Sequence, residues 1–389
     1  MPIMVLARWH EDRVLWASRP ALFALLRGGG VLGPVRRVPG LGWVVSDPVL
    51  ARAVLNDGKH FTLLGEGGVG HLWAQVLGDY VNRIFDGPGH ADLRSRARDL
   101  FTDASARELV RRVFDPALEP ALERLEAGRA VDLARLSRVL VGRMMGELLG
   151  LPDDDPLGLF ETGERLAALA LGSATSTGLP PEVVARAKPI VAELTRNVPA
   201  AFASADPGTL LGRCRELGLS LEETSGLAAL LMVAGTETAA TAMTRTVALL
   251  HDTGEQHRLL NSPELLTAAV REGLRVTTPA PVIGRHVART VTVGGKRMRA
   301  GERVLLLTYV ANNAVGRFCL DQPYAPRNRQ LWFGGGRHLC LGAALARAEI
   351  AHLVRGVFRS GRPVVVGPRR AARGVLIPSY ASLPIRLGP

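Results

Sequence analysis

The 389-residue chain is poor in cysteine, lysine and aromatics, and each shortage excludes something. Its three cysteines, Cys214, Cys319 and Cys340, are odd in number and far apart. They build no disulfide framework, and the lack of CxxC spacing argues against zinc and iron–sulfur sites. A reducing cytoplasm fits this cysteine usage. Aromatics make up 5% of residues against 47% hydrophobic overall, so a sizeable core is made of Leu, Val and Ala. Among 48 basic residues only Lys59, Lys188 and Lys296 are lysine, which reads as coding bias. The net charge of +12 is of a sign that could serve nucleic-acid binding, but a solvated surface is the favoured reading. The arginines are scattered among carboxylates, with no basic run interleaved with aromatics, so no nucleic-acid partner is expected. A local basic surface for an acidic protein stays open.

Long hydrophobic runs are also scarce. MPIMVLARWHEDRVLW at the start has no continuous apolar segment, so neither signal peptide nor membrane anchor is expected. The stretch at 227–250, LAALLMVAGTETAATAMTRTVALL, has the length of a membrane span. It carries Glu237, five threonines and Arg245, which favours a buried helix in a soluble protein.

What is present is mostly helical pattern. Residues 35–46 predict two short strands about a Pro-Gly turn, and 61–85 reads as a long Gly-rich loop. Residues 89–150 are helical, with Pro116 and Pro120 as breaks. Residues 151–156 and 174–181 are turns between further helices. A long helix covers about 221–250. Another runs from Ser262, as N-cap with Pro263 at the first position, to about Val276. Residues 291–307 alternate like a small sheet, 309–331 look irregular, a helix spans 341–359, and the tail reads as strands. No composition shift divides the chain. The expectation is one domain over 1–389, mainly α with minor β (α+β), the β parts lying near 33–46, 282–308 and 360–389.

The stretch WFGGGRHLCLGAALARAE, 332–349, is the most informative. Cys340 stands at the mouth of a predicted helix, where backbone N–H groups and the helix dipole favour a thiolate. The surrounding glycines let the backbone wrap close to the sulfur. A zinc site needs more ligands. A cysteine hydrolase would need His338 as base, but a loop neighbour two residues away rarely aligns and no third group orients it. Heme iron needs one protein ligand, and thiolate is one of its axial choices.

FGGGRHLCLG resembles the heme-binding loop of the cytochrome P450 family, with Phe333, Gly336, Cys340 and Gly342 at the matching places. The resemblance runs from about residue 20 to the end, and the remaining motifs follow in order. It implies the P450 fold, a helix-rich triangular prism with small sheets. AGTETAAT, 234–241, is similar to the family's oxygen-binding stretch, and this implies Glu237 and Thr238 as the acid–alcohol pair that delivers protons. Read without the family, the same residues describe a kinked core helix whose threonines bond back to carbonyls. DGPGHADLR places His90 and Arg94 at i,i+4; by resemblance they hold heme propionates, as do Arg285 and His338. His286, beside Arg285, faces either substrate or solvent. Glu272 and Arg275 share a helix face, a weak signal alone. In the family they form a buried pair completed by a second arginine. The usual position holds Ala325, so Arg327 is the choice here, with Arg329 close by.

The function implied is a bacterial heme-thiolate monooxygenase. Heme b (iron protoporphyrin IX) would be bound through Cys340, with one atom of O2 inserted into an apolar small molecule or natural-product scaffold. A tailoring step in secondary metabolism is the favoured role. Electrons would come from a ferredoxin and its reductase, since no flavin or iron–sulfur segment is present, with Arg337 and Arg347 meeting the ferredoxin. A cytoplasmic monomer without membrane contact is expected. The alternatives are a heme-thiolate enzyme for oxidative coupling, desaturation or peroxide-driven oxidation, and a non-catalytic heme-binding scaffold.

Overall fold

A single helix, Leu221–Thr253, organises the molecule. Its start is fixed by a capping box: Ser220 Oγ accepts from Glu223 N at 3.2 Å, and the Glu223 carboxylate accepts from Ser220 N at 2.9 Å. It ends at Gly254, whose φ of +77° is a left-handed cap that glycine adopts without strain. By length and composition this helix passes as a membrane span, but 72% of its most apolar window is buried inside the protein. It is a core helix, apolar on nearly every side. The computed structural model describes residues 3–31, 33–66, 68–78, 81, 86, 88–152, 155–172 and 178–389.

Around it pack helices Leu133–Leu149, Pro156–Gly172, Leu266–Thr277 and Ala343–Val357, together with the N-terminal Ile3–Ser18, while Asp103–Glu126 packs one layer out, on Leu133–Leu149 and Ala343–Val357. The main core is aliphatic, as the scarcity of aromatics requires. Asp103–Glu126 is unbroken, although Pro116 and Pro120 were expected to interrupt it. Both prolines lie on the exposed face. The bonds they remove are therefore on the side where water satisfies the freed carbonyls. The buried stripe Ala106, Val110, Phe114, Leu118, Leu122 and Leu125 runs past them undisturbed.

The largest sheet has five strands in the order Val35–Val38, Gly42–Val45, Arg303–Leu306, Ile283–Val287, Phe61–Thr62. Gly42–Val45 and Arg303–Leu306 are parallel and the other pairs antiparallel. Arg285 faces Val304, and Thr62 faces His286. Three smaller sheets use segments 131–132, 291–298 and 364–387. The architecture is the mainly α, minor β arrangement expected.

Three local expectations need correcting. The stretch 61–85 contains the strand Phe61–Thr62 and the helix Val69–Leu77. Val69, Leu72, Trp73, Val76 and Leu77 recur at helical spacing, a signal masked by the flanking glycines. Ser262 makes no cap bond; Pro263–Leu265 is a 3-10 turn, and the helix proper starts at Leu266. Residues 309–331 include the short helix Thr308–Asn313. Half of the turn expected at 174–181 lies outside the described residues.

Candidate heme-thiolate site

Cys340 lies in the loop that feeds helix Ala343–Val357. The loop is closed by Cys340 N donating to Phe333 O at 3.0 Å. Gly334 and Gly336 have φ of +77° and +63°. At Gly336 a Cβ would also lie 2.1 Å from Leu55 O, so glycine is required twice over. Gly342 differs: its φ is −80° and a Cβ there would meet no protein atom within 4 Å. Protein packing does not call for glycine at 342, whereas a flat group pressed against the loop would.

The Cys340 side chain has accessible surface, yet protein surrounds the sulfur. Burial therefore pushes the thiol up, against the Gly342 N–H, Arg94 and Arg347, which favour thiolate; Glu349 adds to the rise. Sequence reasoning expected a helix-start thiolate, but burial outweighs the helix. A thiol so placed is a poor free nucleophile, while a bound cation at the sulfur would deprotonate it outright. His338 is not its base: His338 Nε2 bonds Asp86 Oδ1 at 2.8 Å, and the ring packs on His90 at 4.7 Å. Among the described residues no cluster of three or more His, Cys, Asp or Glu forms a metal site, which leaves single-ligand chemistry open.

Basic side chains converge beside the loop. Arg94 Nη2 donates to Leu339 O at 2.6 Å, so the Pro88–Arg96 helix is tied directly to the cysteine loop. Burial lowers His90 to about 4, with His338, Arg94 and Arg337 adding repulsion. Arg285 is 5% exposed, and its one described bond runs to its neighbour Gly284 O at 2.9 Å. Burial brings it down to about 10, with Asp86 the charge that opposes the shift. A buried guanidinium without a bonded carboxylate fits an anionic ligand group. Phe333 packs under the Arg347 guanidinium, 5.9 Å from its centroid.

The central helix presents its own accessible face. Leu230, Leu231, Ala234, Gly235 and Thr238 retain surface in a stretch otherwise buried, at one-face helical spacing. Thr238 Oγ1 donates to Ala234 O at 2.9 Å. The helix is continuous here, and a Cβ on Gly235 would lie 2.8 Å from Met145 Sδ.

Glu237 points elsewhere. It lines a crevice with Arg138, Phe160, Glu164 and Ser379, and its Oε2 is buried without a partner. Burial and then Glu164 raise it to about 8, against an N–H bond from Ile377 and the charges of Arg138 and Arg19. Acid and alcohol are adjacent in sequence but project to different sides of the helix.

Glu349, on the helix after Cys340, is likewise raised to about 8 by burial. The folded state keeps protons on both carboxyls that an unfolded chain releases near 4.5. Their contribution to stability is full below that pH and lost as pH rises through about 8. Urea titrations at pH 5, 7 and 8.5 on Glu237→Gln and Glu349→Gln are expected to show a flatter decline than wild type. An unchanged slope in both variants would refute the assignment.

Glu272 and Arg275 form a two-pronged buried pair, Nε–Oε1 2.9 Å and Nη2–Oε2 2.6 Å. Arg327 is not its third member: it is exposed. The remaining Arg275 donors go to the carbonyls of Asn312, Gly316 and Arg317 at 2.8–3.0 Å. In this segment the backbone itself reaches the guanidinium and takes the donors that a second charged partner would otherwise meet.

Sequence reading missed Asp86 and the Arg138–Glu164 pair. A single Asp before a helix and charges on separate helices carry no local pattern.

Comparison with known proteins agrees with this geometry. The Cytochrome P450 family profile matches residues 251–360. The mycinamicin IV hydroxylase/epoxidase of Micromonospora griseorubida is 32% identical over 343 residues, 82% of each chain. Cytochrome P450 165C4 of Amycolatopsis orientalis is 30% identical over 357 residues, 84% of each chain. The crystal structure of CalO2 superposes with a TM-score of 0.76 at 26% identity, covering 95% of this chain and 96% of its own. The chain belongs to the cytochrome P450 family. It is a bacterial oxidoreductase of the P450 monooxygenase/oxidase type, and the family implies heme b on a cysteine thiolate.

Proposed function

We propose that the protein is a monooxygenase working as a single domain. Cys340 holds the heme iron, and an apolar small molecule or natural-product scaffold is oxidised against the Leu230, Leu231, Ala234 and Thr238 face. The observation that carries the reading is the pairing of an enclosed thiol at a helix start with Arg285, a buried guanidinium lacking a bonded carboxylate. The bound heme supplies O2 binding and two-electron oxidation.

The chain's own residues do the rest. Gly342 N–H steadies the sulfur, and Arg94 anchors the cysteine loop from a second helix. His90, Arg94, Arg285 and His338 receive the propionates. Leu230 and Leu231 offer an apolar wall that excludes water from the substrate side. Thr238 keeps lone pairs free on its hydroxyl while donating to Ala234 O, so it can accept and pass a proton at Oγ1. Glu237, near 8, can hold or release a proton at neutral pH from the crevice behind it.

Natural-product tailoring is supported by the relative named for mycinamicin IV hydroxylation and epoxidation. A ferredoxin and its reductase in the cytoplasm would supply electrons to a monomer. Arg337 and Arg347 retain partial exposure for such a partner, though each already faces a carboxylate, Asp86 at 3.6 Å and Asp103 at 3.1 Å.

The test is turnover of macrolactone and aromatic natural-product panels with ferredoxin, reductase and NAD(P)H, against hydrogen peroxide alone. Oxygenated product dependent on NAD(P)H is the expected result. Product from peroxide alone indicates a peroxide-driven enzyme, coupled or desaturated product a non-inserting one, and heme uptake without any product a scaffold.

A further inference from the structure

The basic cluster at the site contains one carboxylate at its centre, and that carboxylate joins three parts of the chain. Asp86 Oδ1 accepts from His338 Nε2 at 2.8 Å and lies 3.6 Å from Arg337 Nη1. Asp86 Oδ2 accepts from Leu63 N at 3.1 Å and from the Thr62 hydroxyl. Its backbone oxygen takes a further bond from Arg337 Nη2 at 3.0 Å. The strand Phe61–Thr62, the approach to the Pro88–Arg96 helix and the cysteine loop thus meet on one residue.

Asp86 also acts at a distance on His90 and Arg285, two basic groups of the cluster that burial penalises. Burial works to raise its own carboxyl, but the bonds from His338, Thr62 and Leu63 overcome this and hold it well below the usual range. It is therefore a fixed anion under the conditions in which the protein folds. Both of its oxygens are already engaged by protein donors, three bonds in all, so it acts from behind His338.

We propose that Asp86 is a positioning residue: it clamps the His338 ring, and through it the Cys340 loop, to the Phe61–Thr62 strand, so that His338 presents a fixed edge to an anionic arm of the heme. The proposal rests on the heme reading above. Metal-ligating histidines are commonly held by a carboxylate behind them, and losing that partner typically weakens metal binding about 10–100-fold; the same arrangement here would act on a propionate contact. The Asp86–His338 contact is long-range in sequence, 252 residues apart, so its strength measures tertiary order at the site.

The experiment is heme transfer from holoenzyme to excess apomyoglobin, with resonance Raman of the propionate bending mode as a second readout. Asp86→Asn is expected to speed heme release about tenfold or more and to shift the propionate mode in the direction seen for His338→Ala. In the His338→Ala background Asp86→Asn should add little, because the clamp has lost its object. Thr62→Val, which removes the hydroxyl's bond to Asp86 and the one it accepts from Leu64 N but no charge, should give a smaller increase in the same direction. The proposal is overturned if release is unchanged in Asp86→Asn, or if Asp86→Asn accelerates it by the same factor with and without His338. Should Asp86→Asn fail to fold, an unchanged rate in Thr62→Val is sufficient to overturn the clamp. Absence of a Soret band in the wild-type protein would instead refute the heme reading, and the clamp with it.

Discussion

Cys340→His and Cys340→Ser are expected to reduce turnover to background and to abolish the strongly red-shifted Soret band of the reduced, CO-treated protein. The argument is electrostatic. In the protein alone the thiol is pushed up, because burial outweighs the Gly342 N–H and the two nearby arginines. The donors that do reach the sulfur become fully effective only when a metal cation compensates burial. Serine offers a much weaker ligand at the same place and should lose heme readily. Histidine can ligate, so heme should stay while the spectrum moves to an imidazole-like position. No other cysteine can substitute. Cys214 is fully buried against Leu93 and Leu227 and is raised to about 12, and Cys319 sits in the segment held by Arg275. The spectrum of reduced, CO-bound wild type and both variants decides the matter. A red-shifted band that survives in Cys340→Ser would place the thiolate elsewhere and remove the basis of the proposed function.

The cysteine loop is legible in the sequence because its constraints are local. Gly336 must be glycine for its own φ and for the approach of Leu55 O, and such constraints leave a fixed spacing in the chain. The Glu272–Arg275 pair is legible for the same reason, one helical turn apart on one face. Its completion is not: whether an arginine or three carbonyls reach Arg275 depends on how tightly 309–331 folds, and no residue in that segment announces it. Glu237 shows a further limit. Sequence places it beside Thr238, but helical geometry rotates neighbours by about 100°, and the neighbours of its carboxyl come from residues 138, 164 and 379. Helix-breaking prolines mislead at 116 and 120 because the cost depends on which face they occupy, which only packing decides. The strand pairings between 42–45 and 303–306 have no local signal at all.

The buried ion pair between Glu11 and Arg245 illustrates the same long-range kind of information, and its disruption should bring a large stability loss. Arg245 is fully buried, seven residues beyond Thr238 on the central helix. Its Nε donates to Glu11 Oε1 at 3.3 Å, its Nη2 donates to Glu11 Oε2, and its Nη1 donates to Pro378 O at 3.2 Å. Thr241 Oγ1 bonds the same carbonyl at 2.6 Å. The N-terminal helix and the 370s loop are thus fastened to the central helix. Burying both charges makes the intact pair only marginally favourable, but removing one partner strands the other in a low-dielectric interior, at a cost of about 3–5 kcal/mol. Glu11→Leu is therefore expected to lower the urea midpoint by that equivalent, while Glu11→Leu with Arg245→Met should recover most of it, since apolar replacements carry no desolvation cost. A Glu11→Leu protein within 1 kcal/mol of wild type would show that water reaches Arg245. The pair would then be a surface contact, and the central helix would be held by its apolar packing alone.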